Sequence, residues 1–224
     1  MLSKPDRADI AKKLLKEKYN EDFTVFTSGK GYGTLTNNTF TVVAAPKDNE
    51  DLKFEAEIEK EGDWMIDEYV QALLEDEIKK IVSNKIKNEL TDDFFIKVYI
   101  GWSDTKITNK NSVSLDAYMK KQPNVPVVID VLFNKNTMAN IDSKKEYEVF
   151  ADLFAKDLPF TSTLEIYYTS MDVVQKSEEY FKKHAEAYDD FDKMVEGSLE
   201  IGIGITNGKL NISSSEFIKQ RQVK

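Results

Sequence analysis

A chain of 224 residues with 41% hydrophobic side chains is long enough to bury roughly 70% of its unfolded surface, so it needs neither disulfide nor metal to hold a core. With no cysteine and a single histidine, it excludes disulfides, thiol chemistry, iron–sulfur clusters and any zinc site built from cysteine or several histidines. Forty acidic against 31 basic residues leave a net charge of −9, with Arg7 and Arg221 the only guanidinium forks, so the surface repels phosphate backbones and nucleic acid is not an expected partner.

In chain order, Ser3 is placed to cap a helix with Pro5 in its first turn, where a missing N–H costs nothing. Ile10, Ala11, Leu14 and Leu15 form its apolar stripe, which fades near Tyr19-Asn20. Phe23, Val25 and Phe26 predict a short strand, broken by Gly29-Lys30-Gly31-Tyr32-Gly33. Phe40, Val42 and Ala44 then share one face of a strand. Leu52, Phe54, Ala56 and Ile58 alternate with Lys53, Glu55, Glu57 and Glu59 in another, with Pro46 to Asp51 as the loop between them. That charged face must meet water, which favours an antiparallel sheet covered on one side. After Gly62-Asp63, apolar residues at Ile66, Val70, Leu73, Leu74, Ile78, Ile81, Val82 and Ile86 predict one long helix, with Asp67 and Glu68 near its positive end.

The second half opens with a strand around Phe94–Ile100 and a loop rich in Ser, Thr and Asn over 103–114. A short helix carries Leu115, Tyr118 and Met119, and Pro123 and Pro126 introduce the strand Val127–Phe133. Ser143 and Glu146 have capping-box spacing ahead of Tyr147, Phe150, Leu153, Phe154 and Leu158, and Pro159 closes that helix. Leu164, Ile166 and Tyr168 alternate as a strand. Asp172 with Gln175 predicts the start of one helix running to Glu196, with Val174, Phe181, Ala185, Tyr188, Phe191 and Val195 on its stripe and Gly197 as its stop. Leu199, Ile201, Ile203 and Ile205 alternate with Glu200, Gly202, Gly204 and Thr206, and Asn207-Gly208 turns the chain into Leu210 and Ile212.

This order predicts an α+β fold: mostly antiparallel sheets, each covered by helices on one face, in two small lobes at residues 1–90 and 91–224. A doubly wound α/β fold is rejected, because the strands carry polar residues on one face and no glycine-rich strand-to-helix turn is present.

Chemistry is hard to find. His184, between Tyr180 and Tyr188 at i−4 and i+4, reads as a half-buried helix residue, and His184-Ala185-Glu186 lacks the cysteine pair of a zinc deaminase. Gly29-Lys30-Gly31-Tyr32-Gly33-Thr34 departs from the phosphate-loop spacing and leads into a strand rather than a helix. Asp189, Asp190, Asp192 and Glu196, and the loop acids Asp48, Glu50 and Asp51, lack calcium-loop spacing. No catalytic residue, metal ligand or cofactor-binding residue is assigned. Trp64 and Trp102 at element edges, with Tyr167 and His184, make up the candidate binding surface. Residues 46–92, with seven lysines against fifteen carboxylates, form the candidate face for another protein.

The run Leu14-Leu15-Lys16-Glu17-Lys18-Tyr19-Asn20-Glu21-Asp22-Phe23 resembles the opening of an uncharacterised Gram-positive bacterial family, in which a helix ending L-x-E-K-Y-G-E-x-F runs into a strand. Asn20 stands where that opening carries glycine. Residues 32–40 and Ala45-Pro46-Lys47-Asp48-Asn49 are similar too, so the resemblance covers about the first 80 residues. It implies no activity, but many members look exported or lipid-anchored.

No stretch nears the ~18 apolar residues of a membrane span, and Met1 to Asp6 lack the apolar core of a signal peptide. The chain by itself therefore reads as cytoplasmic, or as exported or lipid-anchored if its start has been trimmed. Three functions stay open: a non-catalytic binding or assembly protein, associated with the cell envelope; a hydrolase using Asp/Glu acid–base chemistry; and a cytoplasmic regulator or antitoxin-like protein that uses its acidic face.

Overall fold

Helix α1 (Lys4–Tyr19) forms because Ala11, Leu15 and Tyr19 fall on one stripe and bury it. It stops at Asn20, which adopts φ 57° and donates its N–H to the Lys16 carbonyl at 2.8 Å. Asparagine is among the few side-chain-bearing residues that tolerate this left-handed conformation, so the helix can end here without glycine. The computed structural model describes residues 4–28, 38–101, 114–183 and 188–222; the Ser3 cap and the Gly29–Gly33 cluster lie outside them.

Contacts divide the chain into two units: among the described residues, the first holds those up to Leu74 together with Ser114 and Leu115, and the second holds 75–101 and those from Asp116 onward. In the first unit, strands β1 (Phe23–Ser28), β2 (Thr39–Pro46), β3 (Phe54–Glu59) and β4 (Met65–Asp67) form a sheet in that order, antiparallel throughout. A bulge between Val25 and Thr27 adds one residue to the β1 edge. Phe40, Val42, Ala44, Phe54, Ala56 and Ile58 point inward and are buried. Tyr19, Phe23, Phe54 and Tyr69 join them as an aromatic cluster with centroids 4.8–6.1 Å apart.

The long helix does not begin after Gly62-Asp63. Ile66 lies in the edge strand β4, opposite Glu57, and helix α2 (Tyr69–Glu89) starts three residues later. Asp67 decides the boundary. Its carboxylate accepts from the Tyr69 N–H at 3.2 Å, from Tyr19 Oη at 2.6 Å and from Lys18 Nζ at 2.7 Å, which caps α2 and ties it to α1.

The second sheet runs β5 (Phe94–Ile100), β6 (Val127–Asn134), β7 (Ser162–Thr169), β8 (Leu199–Thr206), β9 (Lys209–Leu210). Every neighbouring pair is antiparallel except β6 and β7. That parallel pair needs a crossover, supplied by α4 (Lys135–Met138) and α5 (Ser143–Lys156). The short helix α3 (Leu115–Lys121) precedes β6. Class and architecture are thus α+β, with two mostly antiparallel sheets.

Cover in this sheet extends to both faces. On one, Phe150 of α5 meets Phe133, centroids 6.4 Å apart, above Ile129, Val131, Leu164, Ile166, Ile201, Ile203 and Ile205. On the other, α6 (Met171–Lys183) and α7 (Tyr188–Val195) set Phe181 on Phe95 and Phe191 on Tyr167, both 5.6 Å apart.

Three further expectations are corrected. The stripe from Val174 to Val195 belongs to two helices. Phe181 lies 5.8 Å from Phe191, and Ser177 Oγ lies 3.8 Å from Met194 Sδ; one straight helix would hold residues 177 and 194 some ~25 Å apart. Ser170 rather than Asp172 caps α6, accepting from the Val173 N–H. In α5, Asp142 is the N-cap, accepting from the Lys144 N–H at 3.0 Å. Glu146 turns away from the cap into the core, where it accepts from Tyr168 Oη at 2.6 Å and Arg221 Nε at 3.2 Å. Arg221 ends α8 (Ser214–Arg221), a helix capped by Ser213 through the Glu216 N–H.

Candidate functional site

Strand register brings chemistry together in one place. Lys97 on β5 is opposite Asp130 on β6, Asp130 is beside Glu165 on β7, and Glu165 is opposite Gly202 on β8. All four lie in one row on the sheet face that α6 and α7 cover. Next along β7, Tyr167 donates its hydroxyl to Glu165 at 2.8 Å.

This row is largely closed. Asp130 is 2% exposed and Lys97 8%, and the Lys97 ammonium lies 4.1 Å from the Phe181 ring centre and 5.5 Å from that of Phe191. Burial raises the Asp130 carboxyl to about 8, with the nearby Glu165 carboxylate and the hydrogen bond to it adding to the rise and Lys97 opposing it. Burial also lowers the Lys97 ammonium to about 8, against the attraction of Asp130, Glu75 and Asp192. The Tyr167 hydroxyl is raised by burial, by its bond to Glu165 and by the Glu200 and Asp130 charges. Burial and the neighbouring carboxyl thus favour one proton held within the Asp130–Glu165 pair, the arrangement two adjacent carboxyls adopt when both cannot ionise.

Glu165 is the half-buried member of the pair. A Cβ added at Gly202 would meet nothing within 4 Å, so the row ends in open space beside Glu165. Chemically the pair can hold and pass one proton. Among the described residues, no three His, Asp or Glu side chains are grouped to hold a metal ion.

The residues singled out from sequence are not gathered there. Tyr167 is in the row but 5% exposed, so its role is to pack and to donate to Glu165, not to present a ring at the surface. Trp64 belongs to the first unit, 43% exposed, just ahead of β4. Trp102 and His184 lie outside the described residues. Sequence reading missed Lys97, Asp130 and Glu165. The signal was a lone charge inside an otherwise apolar strand, in Phe94-Phe95-Ile96-Lys97-Val98-Tyr99-Ile100 and in Val127-Val128-Ile129-Asp130-Val131-Leu132-Phe133.

A second grouping lies on the outer face of the first sheet. Ile66, 43% exposed, is paired with Glu57, and Trp64 accepts at its carbonyl from the Glu59 N–H, which puts it on the same face two residues earlier. Glu55, opposite Val43, extends this face. Thr39 Oγ1 holds Glu57 at 2.6 Å. Phe26 is exposed at the far edge, where Lys53 Nζ lies 5.1 Å from its ring centre.

These two groupings define an α+β protein with one buried ionisable row and one exposed apolar–acidic sheet face. No family model matches the chain, and no curated protein matches it. Its fold is similar to that of a crystal structure of a DUF5037 family protein from Ruminococcus gnavus, with a TM-score of 0.77 over 97% of this chain and 99% of that one, at 17% identity. Likeness at that identity shows the shared fold alone. No helix among the described residues is long and apolar enough to cross a membrane.

Proposed function

We propose that this chain is a non-catalytic binding or assembly protein that engages another protein. The observation that carries this reading is the contrast between its two groupings. Lys97 is packed beneath Phe181 and Phe191 and Asp130 is buried beside it, with Glu165 half-buried next to them, while Trp64 and Ile66 are held out on a sheet face. A catalytic acid must reach a substrate atom, whereas tryptophan is enriched among the residues that anchor interfaces. The resemblance of the opening to exported Gram-positive proteins supports a place at the cell envelope. Cell fractionation separates that from a cytoplasmic regulator using the same face. The test of binding is capture from a cell extract, identification of the captured protein, its separate preparation, and calorimetric titration. Saturable binding at about micromolar strength or better is expected; heats indistinguishable from dilution would overturn the reading.

One observation favours a second reading, an acid–base hydrolase: the Asp130–Glu165 pair, with open space beside it at Gly202. Turnover of chromogenic peptides or glycosides that Glu165→Gln abolishes would establish it. Equal background rates for wild type and Glu165→Gln would remove it.

A further inference from the structure

We infer that the face formed by Trp64, Ile66, Val43, Glu55 and Glu57 docks a basic amphipathic segment of another protein, one that sets lysine or arginine side chains beside apolar ones. This rests on the binding reading above and names the partner's chemistry.

Three features of the face point to that occupant. First, its apolar and acidic residues lie on two parallel lines. Trp64 and Ile66 follow the β4 edge, and Glu55 and Glu57 follow β3, hydrogen-bonded beside it; neighbouring strands lie ~4.8 Å apart and alternate residues ~7 Å apart. Leucines one helical turn apart, or two residues apart in an extended segment, match the first line, and cations beside them match the second. Second, β4 is only three residues long and runs directly into α2, so its edge offers little backbone for strand addition and side chains carry the contact. Third, the charge selects among occupants. A second copy docked by the same face would set acidic residues against acidic ones, and an anionic membrane would meet the same repulsion, whereas a cationic segment is attracted. Among the described residues, Lys53, two positions ahead of Glu55, turns its ammonium toward the Phe26 ring on the opposite edge strand. The inner side of the sheet is not available, because Ile58 and Ala56 are buried.

The probe is a fluorescein-labelled amphipathic peptide of leucine and lysine, with a leucine and glutamate counterpart, read by anisotropy. The expected result is saturable binding of the lysine peptide that weakens about tenfold in Trp64→Ser/Ile66→Ser. Glu55→Gln/Glu57→Gln should weaken it several-fold and flatten its salt dependence. Glu178→Gln/Glu179→Gln, an exposed acidic pair on α6, controls for general charge attraction and should bind as wild type does. The glutamate peptide and anionic vesicles should not bind. Unchanged melting of the serine double variant shows that lost binding is not lost folding. Equal affinity of wild type and both face variants for the lysine peptide overturns the inference, as does vesicle binding that Trp64→Ser/Ile66→Ser abolishes. If the partner captured by the full chain binds all variants alike, the binding reading stands and this inference fails. If the chain captures no partner, the reading itself fails.

Discussion

The buried row makes the protein's stability depend on pH in an unusual way. Asp130 titrates in the folded state near 8, against about 4 in an unfolded chain. Between those values the folded protein holds a proton that the unfolded chain has lost, so raising the pH favours unfolding. Lys97 behaves in the opposite sense. It titrates near 8 when folded and about 10.4 when unfolded, so between those values the unfolded chain holds the extra proton and raising the pH favours folding. Each proton is worth at most about 1.4 kcal/mol per pH unit. From pH 6 to 8 the first group therefore withdraws about 2 kcal/mol, and from pH 8 to 10 the second restores about 2 kcal/mol. Their combined contribution has its minimum near pH 8. Urea unfolding at half-unit pH steps measures it, with two variants isolating the limbs. Asp130→Asn keeps an N–H donor toward Glu165 and should lose the acidic limb, gaining on wild type as pH rises from 6 to 8. Lys97→Met should lose the alkaline limb. Parallel stability curves for wild type and Asp130→Asn over pH 5–8 would refute the account, because they would mean that no proton is held there.

Three further predictions follow from the packing. Arg221→Met leaves Glu146 buried with one partner removed, and since breaking a buried pair costs about 3–5 kcal/mol, its urea midpoint should fall far more than that of Glu146→Gln, which keeps a polar group toward Tyr168. Gly208 has φ 74°, and a Cβ there would come within 2.6 Å of the Phe154 carbonyl, so Gly208→Ala should cost about 2 kcal/mol or more, while Gly202→Ala, with open space, should stay within about 0.5 kcal/mol of wild type. Asp142→Ala should lower the thermal midpoint by the equivalent of about 1 kcal/mol, and Ser143→Ala, one residue inside α5, should leave it nearly unchanged.

Local pattern carried the fold wherever one element met one core. In β8, Ile201, Ile203 and Ile205 are buried and Glu200, Gly202 and Gly204 exposed, because that strand has an oily side and a wet side. Asn207 and Gly208 both take positive φ, as a two-residue hairpin turn requires. Pattern misled where two elements share one stripe. Ile66 continues the spacing of Val70 and Leu73 backward, yet pairing with Glu57 and the Asp67 cap place it in a strand. Val174 to Val195 keep a helical period through two helices that fold against each other, and periodicity does not register such a bend. Helix α8 was legible but not read: Ser213 and Glu216 have capping-box spacing before the buried Phe217.

The ionisable row was out of reach for a different reason. Asp130 and Glu165 are 35 positions apart in sequence, and they become neighbours only because β6 and β7 run parallel. Nothing in a hydrophobic period fixes strand order, so any of the 40 carboxylates remained an equal candidate. What the sequence did hold was an energetic anomaly. Val127–Asn134 has apolar residues at both parities, the mark of a strand buried on both faces. An aspartate within such a strand either carries a proton or pairs with a cation, because a bare buried carboxylate is too costly. The same reasoning applies to Lys97 in Phe94–Ile100. The β5–β6 register sets these two ionisable residues side by side, where Lys97 opposes the rise that burial causes at Asp130. A lone ionisable residue in an apolar strand is therefore a constraint on topology as well as a pointer to a site.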